Sequence, residues 1–367
     1  MSHRTEQKHI YHAPKWHARP PEAQAPAGPK NARTARRGHP VRRALAAVGV
    51  LLAALTAFLL AAVWMICRGP SPAARDLLVN TVMETSAAKF VARIFLSEEE
   101  VQAILDRNGV LETGEVTSET GTFEAPEESV PPETIELHEV NGGSFKGKMM
   151  VVHDPGRVRV AALASFDAGG QGKKLADLVA QEGAVAGING GGFADEGGVG
   201  SGSVPLGIVI QNGTLRAGSL TASYSVIGFD GEDRLVVGRM TGQQALDKGL
   251  RDAISFGPAF IVNGKAAEIS GTGGGLNPRT VIGQRADGAV LLLVIDGRQP
   301  QSLGATYQDC VQVMQEWGAV NAANLDGGSS TQMIYEGETV NVCASLYGPR
   351  KLPTAIVVDA VQEGGNG

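Results

Sequence analysis

The chain has 367 residues, 32 Lys and Arg against 38 Asp and Glu, 49 glycines and only 5% aromatics. That length allows one large or two ordinary domains. The charge is uneven: residues 1–43 hold ten Lys/Arg and two Glu, a net +8, which leaves 22 basic and 36 acidic residues, a net −14, for the rest. A folded part this acidic argues against nucleic-acid binding. Five of the seven histidines lie in the basic tail and only His138 and His153 follow it, which excludes a three-histidine site downstream.

Residues 1–43 carry Pro, Ala, Arg and His without periodicity and read as a disordered cytoplasmic tail. Residues 44–67 form an uncharged apolar run of 24 residues, and roughly 20 suffice for a helix to cross a bilayer. Arg42 and Arg43 abut its N-terminal end, so the positive-inside rule puts the tail in the cytoplasm and the bulk outside. A single-pass signal anchor in the cell membrane is therefore expected, with the C-terminal domain extracellular. The competing reading is a cleaved signal peptide, and the run is long for one.

Residues 68–109 read as a helical stalk. Ser97 and Glu100 make a capping-box pair before Val101, Ile104 and Leu105. Residues 110–137, rich in Glu, Thr, Ser and Pro, have linker composition.

From about residue 138 to 362 the texture changes to short apolar runs broken by glycine. Asn212-Gly213, Asp230-Gly231, Asn263-Gly264 and Glu336-Gly337 each lie between such runs and signal hairpins. Two places break the pattern alike. A strand over 157–166 precedes a helix over 174–181, the run 184–188 and Asn189-Gly190-Gly191-Gly192. A strand over 290–295 precedes a helix over 307–317, the run 319–325 and Asp326-Gly327-Gly328. A strand–helix–strand unit generally makes a parallel pair, with ligands at the carboxyl ends of the strands. The fold class is thus α+β: a mixed sheet with many hairpins and two strand–helix–strand units, preceded by a transmembrane helix and a stalk. Asn189 and Asp326 occupy equivalent strand ends and could face one cleft.

Val290–Ile295 ends in Asp296, so the second unit carries two strand-end carboxylates, Asp296 and Asp326. Paired carboxylates divide acid and base roles when their environments separate their pKa values. Either one alone reads more readily as a cap of the next turn or helix. Arg279, after Asn277-Pro278, and Arg298 offer guanidinium forks suited to phosphate. The glycine loop from Gly190 through Asp195 and Gly197-Gly198 to Ser203 could bind phosphate through backbone N–H groups or form a lid. It has neither Walker nor Rossmann spacing. Cys310 and Cys343 could pair, but two buried thiols are the simpler reading. His153 reads as structural.

Five motifs in order then resemble one family. They are Gly187–Phe193, Pro205–Val209 leading to Asn212-Gly213, Asn277–Gly283, Val294–Gln299 and Asn324–Ser330. Together they are similar to the phosphodiester glycosidase family. That family includes N-acetylglucosamine-1-phosphodiester alpha-N-acetylglucosaminidase and bacterial proteins linked to exopolysaccharide or envelope glycans. Asp326 is followed here by two glycines where many members have three. The resemblance implies a hydrolase that cleaves a sugar-1-phosphodiester at the anomeric carbon. Arg279 and Arg298 would hold phosphate, while Asp326 and Asp296 would act on water or on the oxocarbenium-like centre. Asn189, Gly190, Gly191, Thr280, Gly327, Gly328, Ser329 and Ser330 would bind substrate. The motifs single out no cofactor, and a divalent cation joining Asp296 and Asp326 stays open: it would find oxygen ligands there, although no loop has calcium-type spacing. The rival from another class is a non-catalytic glycan-binding or exopolysaccharide-assembly module on the same fold. Few aromatic stacking faces (3 Trp, 5 Tyr) weigh against it. The expected partners are a glycan phosphodiester and, through residues 44–67, the membrane.

Overall fold

The computed structural model describes residues 40–85, 88–118, 123–125, 130–195, 200–345 and 348–361. Most of the basic tail and the loop glycines Gly197 and Gly198 lie outside the described residues, as does position 362. Contacts divide the chain into two units, Met1–Ala57 and Phe58–Gly367. Pro40–Arg68 is one helix, with a mean hydropathy of 2.6 over its most apolar 18 residues. Its length and composition suit a single membrane span.

Within the second unit, three antiparallel sheets share one core. The largest has seven strands, in the order Lys265–Ala266, Ala259–Val262, Ala319–Leu325, Arg279–Arg285, Val290–Ile295, Lys146–Val152, Ile135–Asn141. A five-stranded sheet runs Glu338–Thr339, Met333–Tyr335, Ala184–Asn189, Thr354–Asp359, Val158–Ala162. The other five-stranded sheet is Thr214–Ala217, Val209–Gln211, Asp252–Ser255, Ser223–Phe229, Leu235–Thr241. Strand side chains alternate between faces. Met150, Val152, Leu292 and Val294 therefore point into the shared core with Val160, Ile188, Ile227 and Ile254. Their neighbours Met149, Val151, Leu291 and Leu293 pack on the opposite face with Cys310, Val311 and Met314 of the helix Tyr307–Glu316. The helix Leu175–Gln181 covers the outer face of the second sheet in the same way, and Gly242–Asp247 that of the third. A sheet buried on both faces explains why its strands read as continuous apolar runs.

The expected hairpins are present, with Asn212, Asn263 and Glu336 all at positive φ. The two strand–helix–strand units are present too, with one difference from the sequence expectation. Val290–Ile295 and Ala319–Leu325 are not neighbours; Arg279–Arg285 lies between them, antiparallel to both. Likewise Thr354–Asp359 lies between Val158–Ala162 and Ala184–Asn189. In each unit the crossover spans a gap one strand wide, filled from elsewhere in the chain.

The lead-in also differs from a free stalk and linker. Its helices are Pro72–Met83, Lys89–Arg93 and Glu98–Asp106, the last opened by the Ser97–Glu100 capping box. Asp76 accepts from Arg107 at 2.6 and 2.8 Å and from Asn108 at 3.1 Å, tying the first helix to the end of the third. Gly109–Leu111 pairs with Glu268–Ser270, and the Thr117 hydroxyl reaches Asn321 at 3.1 Å. The described residues of 72–118 are thus joined to the sheets by strand pairing, by hydrogen bonds and by the packing of Val110 and Val116. A chain shortened to begin at 138 is expected to be less stable than one beginning at 69 by at least roughly 3 kcal/mol, because it removes Glu84, the carboxylate paired at 2.7 Å with the buried Arg279. Equal denaturant midpoints for the two would contradict this.

Candidate active site

A cleft of about 1260 Å³ opens where the strand ends of the two strand–helix–strand segments meet. Sequence dictates the junction: each run ends in a polar residue followed by glycine. The Asn189 side chain donates to the Asp326 carbonyl at 2.6 Å, and the Asp326 N–H donates to the Gly190 carbonyl at 3.3 Å. The Asn189 oxygen accepts from Thr280 at 2.8 Å and from the Gln332 N–H at 3.1 Å. Asn189 and Thr280 are fully buried and fix the floor from beneath; the wall itself holds Asp326, Gly327, Gly328, Ser329 and Ser330. Gly190 and Gly191 lie against Thr354 and Ser255, where an added Cβ would meet atoms at 2.6 Å in both cases.

Asp326 faces the cleft. Burial pushes its carboxyl up to about 6, against the Ser330 hydroxyl and the Gly327 N–H, which favour the charged form. The charge of Arg350 also favours the carboxylate, and Asp195, on the wall through the glycine loop, adds a smaller push in the same direction as burial. Asp195 is paired with Arg350 at 2.7 Å, and that guanidinium sits 5.3 Å from the Phe193 ring centre. Asp296 is placed elsewhere. Its carboxylate accepts from Asn341 at 3.1 Å and from the Val342 N–H at 3.0 Å, and so anchors the segment that carries Val342 and Cys343 into the wall. Burial raises its pKa as well. The carboxylates that share the cleft with Asp326 are therefore Asp195 and Glu84, and Asp296 supports the wall from behind. Among the described residues no group of three or more His, Cys, Asp and Glu gathers as a metal site.

The two guanidiniums differ. Arg279 is buried, with its Nε donating to the Ala305 carbonyl at 3.0 Å and Nη2 to that of Gly275 at 2.7 Å. Its centre lies 4.1 Å from the Tyr307 ring centre, and Glu84 pairs with it at 2.7 Å. Burial opposes its charge, but Tyr307 and Glu84 overcome that and raise its pKa. Arg298 opens onto the cleft. It donates to the Thr85 hydroxyl and the Asn277 oxygen, both at 3.0 Å and both neutral. Burial and the neighbouring Arg279 lower its pKa. Arg298 holds a left-handed φ of 59°, a strained conformation of the kind found at functional sites. Gly328 makes room for it: a Cβ there would lie 3.1 Å from the Arg298 Nη2, and φ of 62° suits glycine.

Sequence reasoning missed Glu84 and Thr85, which sit in a stretch read as stalk, and it missed Arg350 and Tyr307. Asp195 and Asn277 stood inside the stretches singled out, without roles. Cys310 is buried and Cys343 half-buried on the wall; both are free thiols.

The raised Asp326 pKa has a consequence for stability. With a pKa of about 6 in the fold, against the ordinary carboxylate value of 3.8, this group binds more protons folded than unfolded between those values. Its contribution is greatest at low pH and is lost as pH rises through that window. Asp326→Asn should remove this decline and be the more stable protein at pH 7, by up to roughly 3 kcal/mol. Denaturation curves from pH 4 to 8 check it; identical pH profiles would refute it.

Residues 182–359 match the family model for the phosphodiester glycosidase. A curated relative from Bacillus subtilis (strain 168), the SPbeta prophage-derived uncharacterized protein YomE, is 32% identical over 168 residues, covering 43% of this chain. The chain spans only 25% of that protein's length. Among solved structures, the zebrafish N-acetylglucosamine-1-phosphodiester alpha-N-acetylglucosaminidase catalytic domain, auto-inhibited by its pro-peptide, superposes with a TM-score of 0.52. It is 20% identical, and the match covers 67% of this chain and 87% of that one, so the likeness speaks to fold alone. The strand-end motifs at Asn189 and Asp326, and most of the cleft wall, lie within residues 182–359, the stretch that matches the phosphodiester glycosidase family model.

Proposed function

We propose that this protein is a membrane-anchored, extracytoplasmic hydrolase that cleaves a sugar-1-phosphodiester, GlcNAc-1-phosphate-like, in envelope or exported polysaccharide. The observation that carries the reading is the pairing of unlike groups in one cleft. Arg298 presents a guanidinium with no carboxylate partner among the described residues, and Asp326 presents a carboxyl with a pKa of about 6.

In this reading Arg298 takes the phosphate oxygens and Gly328 leaves space for it to do so. Asp326 acts on the water or on the positive charge developing at the anomeric carbon, and a pKa near working pH suits a proton-transferring group. Water adds to the anomeric carbon, the bond to the phosphate oxygen breaks, and sugar and a phosphomonoester leave. Phosphate departs readily as an anion, so little acid assistance is needed. Arg279 and Asp296 contribute by holding the walls, Ser329 and Ser330 by offering hydroxyls to the sugar. The Asn189–Asp326 junction sets the carboxylate's position.

The full chain in detergent, given a methyl diester of GlcNAc-1-phosphate, should release free GlcNAc. Asp326→Asn should lower kcat by about a hundredfold or more, and Arg298→Ala should lower kcat as well as raise KM. Folded wild-type protein that binds glycan yet turns over none of a panel of sugar-1-phosphodiesters would favour the binding-module alternative. For the topology, external protease should remove the C-terminal domain from intact cells and leave the basic tail protected; the reverse pattern would overturn the orientation.

A further inference from the structure

Glu84 lies well upstream of the segment matched by the family model, at the end of the helix Pro72–Met83, yet it belongs to the cleft wall. Three donors converge on its carboxylate: the Gly275 N–H at 2.9 Å, the Asn277 amide at 2.9 Å and Arg279 at 2.7 Å. The contact is built in. The Leu276 N–H donates to Thr81 at 3.0 Å, and a Cβ on Gly275 would lie 2.3 Å from the Thr81 nitrogen, so only glycine lets the helix approach this closely.

The consequence is a count of charges. Glu84 neutralises Arg279, and Asp195 neutralises Arg350. Lys351, on the rim, is hydrogen-bonded to Gln171. At the wall built by Glu84, Thr85, Asn277 and Arg279, the positive charge left without a carboxylate among the described residues is that of Arg298. A phosphodiester carries one negative charge. A phosphomonoester carries nearly two at neutral pH, because its second pKa is about 6.

We infer that Glu84 is a specificity-determining residue, which matches this wall to a singly charged phosphodiester and disfavours a doubly charged phosphomonoester. The inference rests on the proposed reading that the cleft takes a sugar-1-phosphodiester. Hydrolysis of such a substrate turns a singly charged ester into a doubly charged one, so the same residue speeds departure of the phosphorylated product. Without Glu84 the charges of two guanidiniums, Arg279 within the wall and Arg298 at its surface, would go unmatched.

The test uses full-length protein in detergent at pH 8, with methyl phosphate as the doubly charged probe and dimethyl phosphate as the singly charged one, titrated by 31P NMR. Wild type should bind the two within a few-fold of each other. Glu84→Gln should bind methyl phosphate on the order of tenfold tighter, the scale of one added charge contact at partly solvated distance, with dimethyl phosphate changing far less. Glu84→Gln/Arg279→Gln removes both charges, leaves no buried ion unpaired, and should restore the wild-type ratio. Methyl phosphate binding that is unchanged or weaker in folded Glu84→Gln overturns the inference. An equal gain for both probes also overturns it, since it would mean that the Glu84–Thr85 segment simply blocks the cleft. Should the single variant fail to fold, the double variant decides, and a ratio unlike the wild type's counts against charge matching. These ratios need no turnover, so they stand or fall apart from the release of sugar that tests the reaction itself.

Discussion

A buried guanidinium sets the terms for this site. Arg279 begins the central strand of the seven-stranded sheet with a side chain only 5% exposed. An unpaired charge at such depth would cost several kcal/mol. The chain answers from four directions, with the Ala305 and Gly275 carbonyls, the Tyr307 ring and the Glu84 carboxylate. Each answer fixes a segment. Tyr307 opens the helix over the sheet, Gly275 precedes the strand, and Glu84 closes the first helix of the lead-in. The lead-in helices are therefore part of the domain, because the domain's deeply buried cation has its counter-ion there.

Local features of the fold were legible in the sequence where they depend on local chemistry. Asn-Gly dipeptides mark hairpins because the turn needs positive φ, and Asn212 and Asn263 show that φ. Ser97 and Glu100 mark a helix start because both groups of the capping box lie within one turn. The two repeats could be read because helix, glycine, strand and polar strand end follow one another along the chain. They did not reveal the strand inserted in the middle of each unit, since Arg279–Arg285 and Thr354–Asp359 enter from outside the repeat.

The candidate site was legible at Asp326 and Arg298 and much less so around them. Asp296 and Asp195 look equally eligible as strand-end or loop carboxylates. Only the fold shows that one is spent on the Val342 N–H while the other borders the cleft. Glu84 has no sequence signature at all, because its partner Gly275 lies 191 residues away. A contact of that separation leaves no period or spacing to read. Asn189 is a subtler case. Its strand-end position was evident, but its side chain turns beneath the floor and positions Asp326 through the backbone carbonyl.

Charge placement links the fold to the proposed reaction. Two ion pairs, Arg279–Glu84 and Arg350–Asp195, shape the walls while cancelling their own charge. Arg298 and Asp326 are left as opposite groups without ion-pair partners among the described residues. Cleavage at an anomeric carbon separates charge in just that sense, with negative charge on the departing phosphate and positive charge on the sugar ring. Packing around the cleft disfavours the charged form of both groups, raising the Asp326 pKa to about 6 and lowering that of Arg298, whose side chain stays open to solvent. Each is therefore stabilised most when its complement develops beside it. Interactions that strengthen towards the transition state lower the barrier, whereas those already complete with bound substrate do not. Asp326, facing the cleft without a counter-ion, serves that end better than Asp296, whose carboxylate is already committed to Asn341 and the Val342 N–H.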